Sequence, residues 1–282
     1  MTSDAPSTPV LDRLLDHQRN EFTTSEHKLK RVGQFEFGIL LVAIGTFFID
    51  HPNGPYLAAL ISMGLTTARL AFRYSADKSR RLAERARRTV LLCNGLGLPL
   101  DGKLLTDMLA EFSPVTSSTM ALEAADTYYD SDRVGSPERL ADMLEESAFW
   151  TRHLVGYAAR QLQIELGAGL VLGLVGLALL TLWTDELNEV FIAHVLCVVF
   201  AWWVLSDRLI SALTLQSVMS PINELEIAAR HATTLHEVLP VLGEYNALVE
   251  LTPIVPDKLY LKHQAKLNAL WEEHQRRDEP NA

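Results

Sequence analysis

Residues 166–183 read LGAGLVLGLVGLALLTLW, and after the linker Thr184–Glu189 residues 190–205 read VFIAHVLCVVFAWWVL. Neither stretch contains Asp, Glu, Lys or Arg. A helix that crosses a bilayer needs about 20 mostly apolar residues, with about 17 as a lower limit. Two such tracts joined by a few polar residues read as a transmembrane hairpin. The same plan appears earlier in the chain. Phe37–Ile49 and Tyr56–Phe72 form a second pair around Asp50–Pro55, the first tract reaching spanning length when Gly33–Glu36 joins it at the interface. These four tracts decide the fold: lipid, not water, is the solvent expected to shape half of the helices.

Between the pairs the chemistry changes. The 282 residues are 48% hydrophobic with a formal net charge of −10, and the mean hydropathy is +0.10. That average conceals a basic run and an acidic segment. Arg69, Arg73, Lys78, Arg80, Arg81, Arg85, Arg87 and Arg88 face only Asp77 and Glu84 across residues 69–88, whereas Asp101–Ser147 carries Glu123, Asp126, Asp130, Asp132, Glu145 and Glu146. Lys and Arg beside a membrane exit mark the cytoplasmic side. They also attract anionic headgroups, by about 1 kcal/mol each. Arg73, Arg80 and Arg81 are the headgroup contacts expected here, and membrane lipids rather than a nucleic acid polymer are the expected partner. Lys28, Lys30, Arg31, Arg152, Arg160 and Arg208 flank the tracts on the same side, while the linkers carry Asp50, Asp185, Glu186 and Glu189 and no Lys or Arg. Both termini and the central segment are therefore expected in the cytoplasm. No signal-peptide pattern precedes the first tract, and the two cysteines, Cys93 and Cys197, point to neither a disulfide nor a zinc site.

Helical spacing predominates throughout, and no segment alternates with period two, so the expected fold is all-α. Tyr56–Cys93 lacks proline and reads as one long helix ended by Gly95, Gly97 and Pro99. Asp101–Phe112 and Thr119–Tyr129 read as short helices. Ser136-Pro137 supplies an N-cap with proline at the first helical position, and Glu138–Gln163 then runs without a breaker into the third tract. Ser220-Pro221 marks a kink or a new start, Ala228–Glu250 a helix interrupted near Pro240, Thr252–Pro256 an extended break, and Asp257–Arg276 a last helix. The expected organisation is a cytoplasmic N-terminal segment (1–32, with Met1–Pro9 disordered), hairpin 1 (33–73), a cytoplasmic insert with a basic stalk (74–163), hairpin 2 (164–208) and a cytoplasmic tail (209–282).

Close helix contact in lipid relies on small residues. Gly169, Gly173 and Gly176 in the third tract, and Gly38 and Gly45 in the first, have that spacing and serve bundle packing or association between copies. Glu36, Arg69, Glu165 and Asp207 fall near the cytoplasmic boundary, not at mid-depth, which argues against a proton-coupled transporter. The run Tyr128-Tyr129-Asp130-Ser131-Asp132-Arg133 combines rings that stack a base with a guanidinium that holds a phosphate. Its alternative is a packed helix-end cluster. No phosphate-cradling Gly-rich loop, His-Glu-x-x-His, Gly-x-Ser-x-Gly or Cys/His cluster is visible, so no enzymatic activity and no cofactor are expected.

The order of a tract pair, a long cytoplasmic insert, a second pair and a helical tail resembles the SMODS-associated four-transmembrane effector family of bacterial anti-phage systems. So do Tyr128-Tyr129 ahead of a helix bearing Phe149-Trp150, and in the tail Glu244-Tyr245-Asn246, Pro253-Ile254-Val255-Pro256 and Leu259-Tyr260. The resemblance implies a non-enzymatic inner-membrane effector that senses a nucleotide second messenger, a cyclic oligonucleotide, then assembles as a homo-oligomer and breaches the membrane. Tyr128, Tyr129, Arg133, Arg152 and Tyr245 are its candidate ligand contacts. A membrane-anchored scaffold that docks a soluble partner through the acidic insert, and a small channel or transporter, are the alternatives.

Overall fold

The computed structural model describes residues 8–45, 51, 53–114, 129, 131, 133–183 and 190–278. Every regular element among them is a helix: α1 Thr8–Gly45, α2 Gly54–Leu96, α3 Gly102–Glu111, α4 Pro137–Trp183, α5 Val190–His231, α6 Leu235–Leu251 and α7 Asp257–Asp278. The all-α expectation holds. The expected helix over Thr119–Tyr129 lies, but for Tyr129, outside the described residues, as do the linker Thr184–Glu189 and residues 50 and 52 of the other linker. Among the described residues one helix, α2, is long and apolar enough to cross a membrane.

The residues divide into two units. Unit 1 comprises Met1–Ser25, Lys78–Ala158 and Thr214–Ala282; unit 2 comprises Glu26–Asp77 and Ala159–Leu213. Helices α1, α2, α4 and α5 each contribute residues to both. At about 1.5 Å per residue, α2 is about 65 Å long and α4 about 70 Å.

In unit 1, Leu11, Leu14 and Leu15 of α1 pack with Ala86, Val90 and Cys93 of α2 and with Met108 and Phe112 at α3. Asp101 caps α3, its side chain accepting from the amide of Lys103. Gly97 ends α2 with φ +62, the left-handed conformation that glycine adopts at low cost. A Cβ on Gly135 would lie 2.5 Å from the Gly97 backbone, and the amide of Ser136 donates to the carbonyl of Gly95 at 2.9 Å. Ser136 Oγ then accepts from the amide of Arg139 at 3.2 Å, which is the cap expected before Pro137.

Two expectations about proline are corrected. α5 runs through Pro221 without a new start. Its inward stripe of Leu215, Val218, Ile222, Leu225 and Ala229 is buried on both sides of the proline, and that burial outweighs a cost of about 3 kcal/mol for proline within a helix. The break before α6 falls at Thr233-Thr234, not near Pro240, which lies inside α6. The Glu237 carboxylate accepts from the amides of Thr233 and Thr234 at 2.9 and 3.0 Å, so the cap sets the boundary. Those two bonds hold its pKa below the usual glutamate value.

Unit 2 is packed through small residues and carries apolar side chains on its surface. Gly38 lets Leu65 approach, with a Cβ there 3.4 Å from the leucine Cδ1, and a Cβ on Gly169 would meet Leu205 Cδ2 at 3.0 Å. Ala43 packs on Ala58. Large apolar side chains lie on the outside: Phe37 is 62% exposed and Trp202 63%, and Leu41, Leu57, Leu60 and Val171 are each at least half exposed.

Candidate functional site

The polar interior of unit 1 is built around α4. Its serine and threonine at positions 147 and 151 lie one turn apart and meet Tyr245, which the spacing Val238, Leu242, Tyr245, Val249 places on the buried face of α6. Tyr245 is fully buried. Its hydroxyl donates to the carbonyl of Ser147 at 3.0 Å, lies 2.8 Å from Thr151 Oγ1 and accepts from Arg87 at 3.0 Å. The Arg87 guanidinium also sits over the Tyr245 ring, 5.1 Å from its centroid, and donates to Glu84 at 2.9 Å. Burial alone would lower the Arg87 pKa; the nearby Tyr245, Glu84 and Tyr129 outweigh it and hold the guanidinium charged, above its ordinary value. Tyr129 is itself buried.

A second cluster lies further along the same helix. Arg152 contacts both oxygens of Glu226 on α5, at 2.9 and 3.1 Å. Arg230 donates to Glu145 at 2.9 Å, and His274 of α7 lies 3.0 Å from Glu145 and 3.9 Å from Glu226. Burial raises the pKa of Glu226, with Arg152 pulling the other way. Burial, then Arg152, lowers that of His153. Phe149 packs on Trp271 and His274 with centroids 5.1 and 5.3 Å apart, and Tyr157 stacks on His263 at 3.8 Å. Among the described residues no group of three or more His, Cys, Asp or Glu is placed to hold a metal ion.

The expected ligand contacts thus take distinct places. Tyr129 and Tyr245 converge on Arg87, a residue noticed in the sequence only as part of the basic run. Arg152 belongs to the Glu226 cluster. Arg133 is exposed and pairs with Asp142 at 3.3 Å. Tyr128 lies outside the described residues. Of the expected headgroup contacts, Arg81 is exposed. Arg80 donates to the carbonyl of Val249 at 2.5 Å and to Thr252 at 3.3 Å, satisfying the C-terminal end of α6. Arg73 pairs with Asp207 in unit 2. Of the packing glycines, Gly38 and Gly169 make close contacts and Gly45 has nothing within 4 Å; the surroundings of Gly173 and Gly176 lie outside the described residues.

Chemically, unit 1 presents guanidiniums already held by carboxylates or phenols. No protein-family model matches the chain, and no curated protein or solved structure matches it.

Proposed function

We propose that the protein is a non-enzymatic integral membrane effector. In this reading unit 2 forms two transmembrane hairpins in the inner membrane, and unit 1 is the cytoplasmic receiver, with both termini on that side. A nucleotide second messenger, of the cyclic oligonucleotide class, binds unit 1, and the protein then oligomerises and disrupts the bilayer. The observation that carries the membrane placement is the outward apolar surface of unit 2, typified by Phe37, Leu60, Val171 and Trp202. On α1 Phe37 and Leu41, and on α2 Leu57 and Leu60, recur about one turn apart, and apolar faces left exposed in this way are rare on water-soluble proteins. The spanning capacity of α2 supports the same reading.

The trigger is a phosphate that takes the place of Glu226 on Arg152. The displaced carboxylate, together with His274, then favours a different seating of α7 against α4 and α5. A ligand shifts an equilibrium only through such differential contacts. Helices α1, α2, α4 and α5 contribute residues to both units and carry the bias. Permeability of liposomes containing the full chain tests this: dye release is expected on addition of one member of a cyclic dinucleotide and trinucleotide panel. Unchanged permeability across the whole panel would overturn the effector reading.

A second reading, a membrane-anchored scaffold, draws on α6. Leu235, Leu239, Gly243, Ala247 and Leu251 are all exposed at four-residue spacing, an apolar stripe suited to a partner helix. A stoichiometric partner retained without any change in permeability would decide for the scaffold.

A further inference from the structure

Six charged side chains in unit 2 form one continuous cluster, to which each of its four helical segments contributes. Glu36 of α1 accepts from Arg69 of α2 at 3.0 Å and from Arg208 of α5 at 2.6 and 3.0 Å. Arg69 also donates to Asp207 of α5 at 2.6 Å, and Arg73 pairs with the same carboxylate. Arg208 reaches on to Glu165 of α4 at 2.5 Å. Three carboxylates meet three guanidiniums, so the cluster is neutral. At its centre the side chains of Arg69 and Glu36 are 2% and 7% exposed, while Arg73 and Glu165 lie at its open rim.

The position of the cluster makes it costly. Arg69 lies fifteen residues beyond the first residue of α2, Gly54. That is about 22 Å along the helix, against a hydrocarbon thickness of about 30 Å. On the membrane placement proposed above, on which this inference rests, the centre of the cluster lies within the cytoplasmic half of the hydrocarbon. Apolar packing of equal volume is often as stabilising as a buried ion network or more so, whereas removing one partner strands a buried charge. What such a network provides instead is a single arrangement in which every charge is satisfied. The pairs Arg69–Asp207, Arg73–Asp207 and Arg208–Glu36 tie the α1/α2 segments to the α4/α5 segments.

We propose that this cluster is the latch that keeps the membrane unit closed, and that its charges, released to water, line the permeation path when the two hairpins part. The latch is electrostatic, needs no ligand of its own, and sets the threshold that a ligand bound to unit 1 has to overcome.

The test uses the full chain in vesicles of phosphatidylethanolamine and phosphatidylglycerol loaded with a small dye, with no nucleotide present. Asp207→Asn, which removes the shared partner of Arg69 and Arg73, is expected to leak at least about tenfold faster than the wild type, because the closed state loses its differential stabilisation. Asp207→Glu is expected to stay closed. The double variant Glu36→Gln/Arg208→Gln also parts the hairpins but keeps the net charge, so it serves if Asp207→Asn fails to insert; it too is expected to leak. Either variant inserted at the wild-type level and silent overturns the latch and leaves the membrane placement standing. A wild type that leaks as fast as the variants overturns the latch alone. Release of the wild type from membranes by alkaline carbonate overturns the placement and the latch together.

Discussion

Tyr245 shows how much one polar atom holds in unit 1. Its hydroxyl joins α6 to Ser147 and Thr151 of α4 and to Arg87 of α2. Tyr245→Phe keeps the ring and removes the atom, leaving a buried guanidinium short of a partner. The expected loss is about 1–3 kcal/mol of stability, read as a lower midpoint in denaturant titration of the detergent-solubilised protein; an unchanged midpoint would show that the hydroxyl carries nothing. The burial of this tyrosine was not read from the sequence, because the break expected near Pro240 splits the stripe of Val238, Leu242, Tyr245 and Val249 that places it inward. Its resemblance-based assignment as a ligand contact drew on short-motif order, which carries no information about exposure. The latch residues illustrate another limit. Glu36, Arg69, Glu165 and Asp207 were each assigned to the cytoplasmic boundary, yet Arg69 and Asp207 are 138 positions apart, and no local periodicity encodes a contact at that distance.

At the scale of elements, the breakers were read well where the backbone itself is constrained and poorly where packing decides. Gly97 ended α2 as expected because its φ of +62 is one that glycine adopts at least cost. Gly97→Ala places a Cβ in the left-handed region and 3.3 Å from the Gly135 Cα. The penalty for the left-handed conformation is about 1–2 kcal/mol, and the contact adds to it. Faster limited proteolysis around residues 96–136 in the variant is the expected readout, and an unchanged digestion rate would argue against a strained junction. Pro221, by contrast, was read as a kink or a new start, and α5 continues through it without a new start. A proline removes one hydrogen bond, while the buried residues on either side of it in α5 retain their packing in unit 1. The start of α6 was misplaced for a related reason: Thr234 with Glu237 is a cap written in the sequence, and the more conspicuous Pro240 drew the boundary away from it.

For the whole molecule, the proposal makes a simple demand on sidedness. His51, between α1 and α2, and Arg133, ahead of α4, are both exposed. In a background lacking Cys93 and Cys197, His51→Cys is expected to react with a membrane-impermeant maleimide added to spheroplasts, and Arg133→Cys to react only after lysis. Labelling of Arg133→Cys in intact spheroplasts would contradict a cytoplasmic unit 1. The alternation of apolar and charged blocks along the chain was read as three cytoplasmic stretches, 1–32, 74–163 and 209–282, around two hairpins, and unit 1 is drawn from Met1–Ser25, Lys78–Ala158 and Thr214–Ala282. Which helices pack against which within each unit was not legible, because that depends on contacts between residues far apart in the sequence.

Glu36 has one more consequence. The apolar tract that follows it, Phe37–Ile49, spans only thirteen residues, fewer than the about 17 that a spanning helix needs at the least. If α1 spans the membrane as proposed, the paired acid extends its lipid-compatible length without a lipid-facing charge. A thicker bilayer would draw this pair deeper into hydrocarbon, and a thinner one would hydrate it, at a fraction of a kcal/mol per Å of mismatch. On the proposed placement, acyl-chain length therefore becomes a physical variable to which the closed protein is tuned, and thin, fluid patches of membrane are where it would yield first.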